Sequence, residues 1–117
     1  MRVLHVFKTY YPDTFGGIEQ VIRQVSIATH SHGVSNRVFT LSREAKKQPM
    51  IRDGTIDVIR APLSLELAST PVSLSAVQTF RQAVADCDLI HYHFPWPFGD
   101  LLHLLAAQGK PSMLTLK

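Results

Sequence analysis

The sequence predicts an α/β fold built on a doubly wound parallel sheet. Short apolar runs alternate with segments of helical periodicity, turn residues separate the two kinds of segment, and the 117 residues suffice for one domain. Right-handed crossovers place the helices of such a chain on the faces of its sheet, which predicts the strand order 3-2-1-4-5. We therefore expect residues 1–117 to form a single domain around a buried sheet.

The first half of the chain carries three predicted strands and one helix. The nearly all-apolar run at residues 2–7 predicts a strand buried on both faces, and a turn-rich loop follows it. The helix is predicted from apolar residues at helical spacing, with Gly33 as its stop: Ile18, Val21, Ile22, Val25 and Ala28. Residues 36–41 and 55–60 predict two more strands, joined by polar residues 42–53 without a clear helix.

The second half of the chain repeats the alternation of strand and helix. Residues 62–71 predict a linker, in which Thr70 caps the next helix and Pro71 lies in its first turn. That helix carries Leu74, Val77, Phe80 and Val84 along one face. The remaining elements are a strand at residues 88–93, a proline-aromatic loop at 94–98, a helix at 99–108 and a fifth strand at 111–116.

Composition excludes several classes of protein. Hydrophobic residues make up 45% and charged residues 18% of the chain, values typical of a folded domain. The net charge of +3 comes from largely scattered basic residues without interleaved aromatic residues, which argues against a nucleic-acid partner. Cys87 is the only cysteine, and no apolar run matches a signal peptide or a membrane span, so we expect a cytoplasmic protein.

The predicted ligand crevice lies at the carboxyl ends of the two central strands, at residues 2–7 and 88–93. A glycine pair, Gly16 and Gly17, stands where the first loop enters its helix. Glycine allows positive backbone angles and close approach of a ligand, and a helix N-terminus favours a negative group, so the pair predicts a phosphate site. A simple tight turn explains the same pair equally well.

Two histidines in the fourth strand are further candidates. His91 and His93 lie two residues apart and therefore point to the same face. Zinc would need a third ligand, and no cysteine or carboxylate is suitably spaced, so we expect no metal and interpret both, like His5, as packed histidines. Trp96 in the following loop predicts either a sugar-stacking wall or loop packing.

A dinucleotide site is a weaker alternative. The GxGxxG pattern is absent, and the second strand ends in residues 40–43 without the carboxylate that would hold a ribose hydroxyl. A small NAD(P)-binding protein therefore remains only a third hypothesis.

The chain resembles the family 4 glycosyltransferases along its whole length. The resemblance rests on residues 3–8, 10–12 and 16–19, on the Asp-Leu-Ile-His-Tyr-His-Phe-Pro segment at 88–95, and on residues 109–111. It implies the Rossmann-like, acceptor-side N-terminal half of a GT-B fold, and a retaining enzyme that requires no metal or cofactor. It also implies that Gly16 and Gly17 lie by the donor phosphates.

The resemblance further implies the substrates. Similar bacterial enzymes transfer mannose or a related sugar from a nucleotide sugar such as GDP-mannose to O-antigen or other polysaccharide chains. Their acceptors are glycans or lipid-linked glycans at the cytoplasmic face of the inner membrane, which implies a peripheral membrane association. We expect Tyr11, Glu19, His91, His93 and Trp96 to line the cleft on the acceptor side.

Two departures from the family pattern bear on activity. Lys117 stands where the family has a histidine that orients the donor sugar, and the donor-binding C-terminal domain does not follow. We therefore expect the chain to be truncated, to be inactive by itself, and to need a separate C-terminal half. A noncatalytic binding or assembly module that works with a partner protein is the second hypothesis.

Overall fold

The computed structural model describes residues 1–14, 16–62, 74–93 and 109–115, which form a six-stranded sheet with helices against it. The strands are β1 (Arg2–Val6), β2 (Ser35–Ser42), β3 (Met50–Asp53), β4 (Ile56–Pro62), β5 (Leu89–His93) and β6 (Ser112–Thr115). The helices are α1 (Gly17–His30) and α2 (Leu74–Ala85). None of the helices in these ranges is long and apolar enough to span a membrane.

The sheet confirms the predicted parallel topology. Its strand order is β3-β4-β2-β1-β5-β6, so the five predicted strands lie in the predicted order, and all pairs among them are parallel. β1 and β5 are neighbours, with Val6 opposite Tyr92 near their carboxyl ends. The carboxyl ends of these two strands therefore lie at the same edge of the sheet, where the order of connection reverses.

β3 is a strand that the sequence analysis interpreted as part of a polar connection. It pairs antiparallel with β4, and Asp53 lies opposite Ile56 across a two-residue loop. Gly54 opens this loop with a φ of 62°, a backbone angle that glycine adopts without steric cost. The Asp-Gly pair ahead of an apolar strand is a local hairpin signal that could have predicted β3.

The core lies on both faces of the sheet. On the α2 face, Phe39 and Phe80 are fully buried, and their rings meet edge to face at 5.0 Å between centroids. On the α1 face, Ile22 packs with Val38 and Val58. Strands buried on both faces explain why residues 2–7 are almost all apolar.

The buried stripe of α1 differs from the predicted one. Ile22 is buried as expected, but Glu19 and Ser26 complete the stripe, whereas Val25 and Ala28 are exposed. Glu19 is tolerated in this stripe because its carboxylate accepts hydrogen bonds from the hydroxyls of Thr9 and Thr14. The Ser26 carbonyl accepts a hydrogen bond from Asn36 of β2 at 3.3 Å, whereas the buried Ser26 hydroxyl has no partner among the described residues. Gly33, with a φ of 79°, ends the helix as predicted.

The face of α2 follows the predicted pattern where its side chains are described. Val77, Phe80 and Val84 are buried, as their spacing indicated. Several predicted features lie outside the described residues: the Thr70 cap with Pro71, the side chain of Leu74, the proline-aromatic loop with Trp96, the helix at 99–108, and Lys117.

Candidate functional site

The segment between β1 and α1 is tied by side chains to four neighbouring elements, α1, β2, β3 and β4. It begins at Phe7 and leads to Gly16, the residue that precedes the first turn of α1. The Thr14 amide donates to the Tyr10 carbonyl at 3.1 Å, and the peptide bond between Tyr11 and Pro12 is cis. This segment, residues 7–16 apart from residue 15, is called the glycine loop below.

Glu19 holds the glycine loop against the first turn of α1. Its carboxylate accepts hydrogen bonds from the hydroxyls of Thr9, at 3.1 Å, and Thr14, and from the backbone amide of Gly16. A glutamate three residues after the N-cap that reaches back to the N-cap amide is one half of a capping box. Burial by itself raises the pKa of Glu19, but these hydrogen bonds, led by the one from Thr14, hold it below its ordinary value of 4.5.

The lowered pKa predicts a pH-dependent stability. Replacing Glu19 by glutamine should lower the free energy of unfolding by about 2 kcal/mol at pH 7, because the charged acceptor of several hydrogen bonds is lost. A carboxyl whose pKa is lower in the folded chain stabilises it above pH 4.5, and this contribution disappears as the pH falls through the folded pKa. Urea denaturation should therefore show the difference between the two proteins shrinking in acid.

The exposed Glu44 provides the matched control. Glu44→Gln should change the free energy of unfolding by less than about 0.5 kcal/mol at pH 7. A Glu19→Gln variant as stable as the original chain at pH 7 would contradict the prediction.

The two glycines of the pair differ in what surrounds them. A Cβ added to Gly16 would meet Oε1 of Glu19 at 3.2 Å, so this position is glycine because the carboxylate needs the space. A Cβ on Gly17 would meet no atom of the described residues within 4 Å. We predicted positive backbone angles as one reason for the glycine pair. This prediction is wrong, because the φ of Gly16 is −86° and Gly17 does not adopt a positive φ either. Gly17 is therefore the position open to close approach of a ligand.

A buried ion pair ties the glycine loop to β2 and β4. Nη2 of Arg60, whose side chain is 2% exposed, lies 3.4 Å from Oδ1 of Asp13 and also donates to the Ser42 hydroxyl. The Ser42 hydroxyl in turn donates to the other Asp13 oxygen at 2.6 Å. Each of the three side chains thus orients the other two, and the loop is fixed over the carboxyl edge of the sheet.

A second polar contact ties the loop to the β3–β4 hairpin. The hydroxyl of Tyr10 donates to Asp53 at 3.0 Å, and Nε of Arg23 pairs with the same carboxylate at 3.2 Å. Beside this contact lies a surface pocket of about 510 Å³, which half-exposed Tyr11 borders. The pocket is lined by Tyr11, Pro12, Asp13, Thr14, Arg23 and Asp53.

Three histidines meet on the α1 face of the two central strands. His5 of β1 lies opposite His91 of β5 in the parallel register, and His93 is two residues further on the same face. His5 and His93 are each 1% exposed, and His91 is half-buried. Nδ1 of His5 lies 3.2 Å from Nε2 of His93. These residues, His5, His91 and His93, are called the histidine cluster below.

Asn36 determines which nitrogen of His5 carries the proton. Nδ2 of Asn36 donates to the carbonyls of Ser26 and Val34, so its Oδ1 is the atom that faces Nε2 of His5, at 2.8 Å. Nε2 of His5 must then be the donor, which leaves Nδ1 as the acceptor toward His93. Burial lowers the pKa of His5 to about 4 and also lowers that of His91, so both rings are neutral at pH 7.

Comparison with known proteins decides the family. The family model described as Glycosyltransferase Family 4 matches residues 15–116, which is most of the chain. The chain belongs to glycosyltransferase family 4. This match confirms the resemblance that the sequence motifs indicated.

Two curated relatives of this family 4 chain are sugar transferases, by their names. The chain is 50% identical over 115 residues to D-rhamnosyltransferase WbpZ of Pseudomonas aeruginosa. It is 47% identical over 115 residues to O-antigen chain mannosyltransferase C of Escherichia coli. Each match covers 98% of this chain, which spans 30% and 31% of the lengths of these two relatives.

A solved structure supports the fold of this family 4 chain. Sucrose-phosphate synthase from Thermosynechococcus elongatus matches it with a TM-score of 0.69 and 17% identity. The match covers 98% of this chain and 32% of that enzyme. The fold is that of a Rossmann-like, doubly wound half of a GT-B glycosyltransferase.

Within this family 4 fold, the predicted site residues fall into two groups at one edge of the sheet. Gly16, Gly17 and Glu19 lie where the glycine loop enters α1, and Tyr11 borders the pocket beside that loop. His91 and His93 form the second group together with His5. Trp96 and Lys117 lie outside the described residues.

Sequence reasoning missed the polar residues that hold the glycine loop. Asp13, Arg60 and Asp53 gave no signal in the sequence, because their partners are 29 to 47 residues away along the chain. One signal was available: Arg60 follows Ile56 and Val58 at the two-residue period of a buried strand face. An arginine in such a position is buried and needs an acidic partner.

Proposed function

We propose that this chain supplies the acceptor-side half of a retaining, nucleotide-sugar-dependent glycosyltransferase that extends O-antigen chains with mannose or D-rhamnose. The observation that carries the proposal is the identity of about one half, along 98% of the chain, to a D-rhamnosyltransferase and an O-antigen mannosyltransferase. The enzyme would work on the cytoplasmic side of the inner membrane, where GDP-mannose or a related donor and a lipid-linked glycan acceptor meet.

The donor diphosphate would lie against the first turn of α1. Backbone amides and the dipole at a helix N-terminus favour a negative group, and Gly17 offers the open approach that such a group needs. Because Glu19 accepts the Gly16 amide, the amides beyond Gly16 are the ones that would face the phosphate. Charge that develops on the leaving diphosphate would be stabilised here by dipoles already in place.

The acceptor glycan would lie beside the glycine loop. The pocket there combines the exposed ring of Tyr11 with the carboxylates of Asp13 and Asp53 and the guanidinium of Arg23. An aromatic face with nearby charged groups suits a sugar, because the ring packs on its C–H surface while the charged groups hydrogen-bond its hydroxyls. Trp96 and the half-buried His91 would extend this acceptor side of the cleft, whereas His93, at 1% exposed, would lie behind it.

The chain by itself should not transfer sugar. It holds one side of the proposed phosphate contact and lacks the family histidine, whose position is Lys117. The catalytic arrangement would be completed by a donor-binding half, on the same or on a separate polypeptide. Most of the electrostatic stabilisation of the leaving group would come from that half.

A chimera tests the proposal. Residues 1–115 of this chain would replace the matched segment of O-antigen chain mannosyltransferase C from Escherichia coli, in a strain that lacks that enzyme. We expect O-antigen synthesis to return, and the purified chimera to transfer mannose with retained anomeric configuration, as measured by NMR of the product. The 117-residue chain alone, incubated with GDP-mannose and acceptor, should give no product.

The negative outcomes discriminate between the hypotheses. A folded chimera without transfer would contradict the proposed function, and inverted configuration would contradict the retaining mechanism. Turnover by the 117 residues alone would contradict the need for a second half. Stable capture of one protein partner by a chain whose chimera is inactive would favour the noncatalytic assembly module.

A further inference from the structure

The histidine cluster has a geometry that packing alone does not require. Its three rings come from two strands, and the candidate ligand nitrogens of all three lie within 4.8 Å of one another. The rings of His91 and His93 stack at 4.1 Å between centroids, and the ring of His5 lies 5.3 Å from His91 and 5.4 Å from His93. Three nitrogen donors therefore converge on one small volume.

We propose that His5, His91 and His93 form a binding site for a divalent transition-metal ion, with Zn²⁺ as the best-suited ion. A tetrahedral zinc ion with Zn–N bonds of about 2.0–2.1 Å holds its ligand nitrogens about 3.3 Å apart. Nδ1 of His5 and Nε2 of His93 are already 3.2 Å apart. The candidate nitrogen of half-buried His91 lies within 4.8 Å of these two, so three-ligand binding requires its ring to turn toward them.

A hydrogen bond from His5 to Asn36 supports this assignment. Metal-binding histidines commonly donate their other ring N–H to an oxygen, which fixes the tautomer and the ring orientation. Nε2 of His5 donates to Oδ1 of Asn36 at 2.8 Å, and Asn36 is itself held by the Ser26 carbonyl and the Thr29 hydroxyl. The Nδ1 lone pair of His5 is thereby directed toward Nε2 of His93.

The ligand set selects the kind of ion. Imidazole nitrogens suit zinc, copper and nickel, whereas magnesium and calcium require oxygen ligands. Without a metal, the Nε2–H of His93 donates to Nδ1 of His5. When an ion binds, the proton of His93 moves to Nδ1 of the same ring, and Nε2 of His93 binds the ion instead. Three protein ligands leave a fourth tetrahedral position for water. This site does not depend on the proposed transfer reaction.

Cobalt substitution tests the site in the full 117-residue chain. Co²⁺ should bind with one ion per chain and give the strong visible absorption of tetrahedral coordination, and Zn²⁺ should displace it. His91→Asn should abolish these bands, because it removes one of three ligands at the half-buried position most tolerant of change. Asn36→Leu should weaken Zn²⁺ affinity by about 10–100-fold in competition with a chromophoric chelator.

The chain contains a matched control pair. His30 and His32 have the same spacing as His91 and His93, but they are exposed at the end of α1. The variant His30→Gln/His32→Gln should retain the tetrahedral cobalt spectrum. Circular dichroism would show whether each variant is folded. If His91→Asn does not fold, the variant His93→Gln takes its place in the test.

Three results would overturn the site. One is the absence of cobalt or zinc binding by the original chain, a result that needs no variant. The second is a weak spectrum typical of octahedral coordination. The third is a tetrahedral spectrum that survives His91→Asn and His93→Gln but disappears in the His30→Gln/His32→Gln variant.

Discussion

Replacing Gly17 by alanine should reduce sugar transfer by the chimera about 100-fold while leaving the fold intact. The added methyl group meets no atom within 4 Å in the part of the chain that the structure describes, and alanine is a better helix former than glycine. The free energy of unfolding should therefore stay the same or rise by up to about 1 kcal/mol. The methyl group would instead displace the donor diphosphate, and a misplacement of about 1 Å can cost about 100-fold in rate. Initial rates with GDP-mannose and urea denaturation would measure the two effects.

Gly16 provides the contrasting variant. A methyl group there approaches the Glu19 carboxylate to 3.2 Å, so Gly16→Ala should shift that side chain and cost about 1 kcal/mol of stability. Loss of activity in this variant should therefore come with loss of stability, unlike in Gly17→Ala. Full transfer activity of the Gly17→Ala chimera would contradict the placement of the diphosphate against α1.

Replacing Asp13 by alanine should destabilise the chain by about 3 kcal/mol. The substitution leaves the guanidinium of Arg60, 2% exposed, without its acidic partner, and a buried charge that loses its partner typically costs about 3–5 kcal/mol. The loss should lie at the lower end of this range, because the side chain of Asp13 is 32% exposed and water can reach the pair. Urea denaturation at neutral pH would measure the loss.

Two further variants separate the buried charge from the loop contact. The double variant Asp13→Ala/Arg60→Met removes the buried charge as well, and it should recover most of the lost stability. Asp57→Ala breaks the exposed pair of Arg52 and Asp57 on the neighbouring strands and should cost less than about 1 kcal/mol. Equal losses in Asp13→Ala and Asp57→Ala would show that the buried pair does not hold the glycine loop.

The strands and the order of the sheet could be predicted because their signals are local. Apolar runs of strand length, glycine stops such as Gly33 and the handedness of crossovers depend on neighbouring residues and general geometry. The hairpin strand β3 was missed although Asp53 and Gly54 carried its signal, since a short half-exposed strand has a weak apolar pattern.

The buried face of α1 shows where periodicity fails. The 3.6-residue period was correct, but the pattern selected Val25 and Ala28 instead of Glu19 and Ser26. An apolar scale treats a buried carboxylate as unfavourable, and it cannot include the hydroxyls of Thr9 and Thr14 that stabilise it. The helix was therefore predictable, and its orientation was not.

The position of the candidate site was predicted from the sequence and stays a prediction, whereas its composition required the structure. Strand topology alone placed a crevice at the carboxyl ends of β1 and β5, and it drew attention to Gly16, Gly17, His91 and His93. The sequence offers no suitably spaced cysteine or carboxylate as a third ligand near these histidines, whereas the parallel register supplies His5 from 86 positions away. The residues that anchor the glycine loop come from β2, β4 and the hairpin in the same way.

The amino-acid sequence by itself determined the fold class, the strand order and the family of this chain, because these follow from local periodicity, chain handedness and short motifs. Only the tertiary structure decided which glycine is open to a ligand, which polar groups are buried together and which histidines share a face. Those properties depend on distances between residues far apart in the chain, and such distances exist only once strand register and helix packing are fixed.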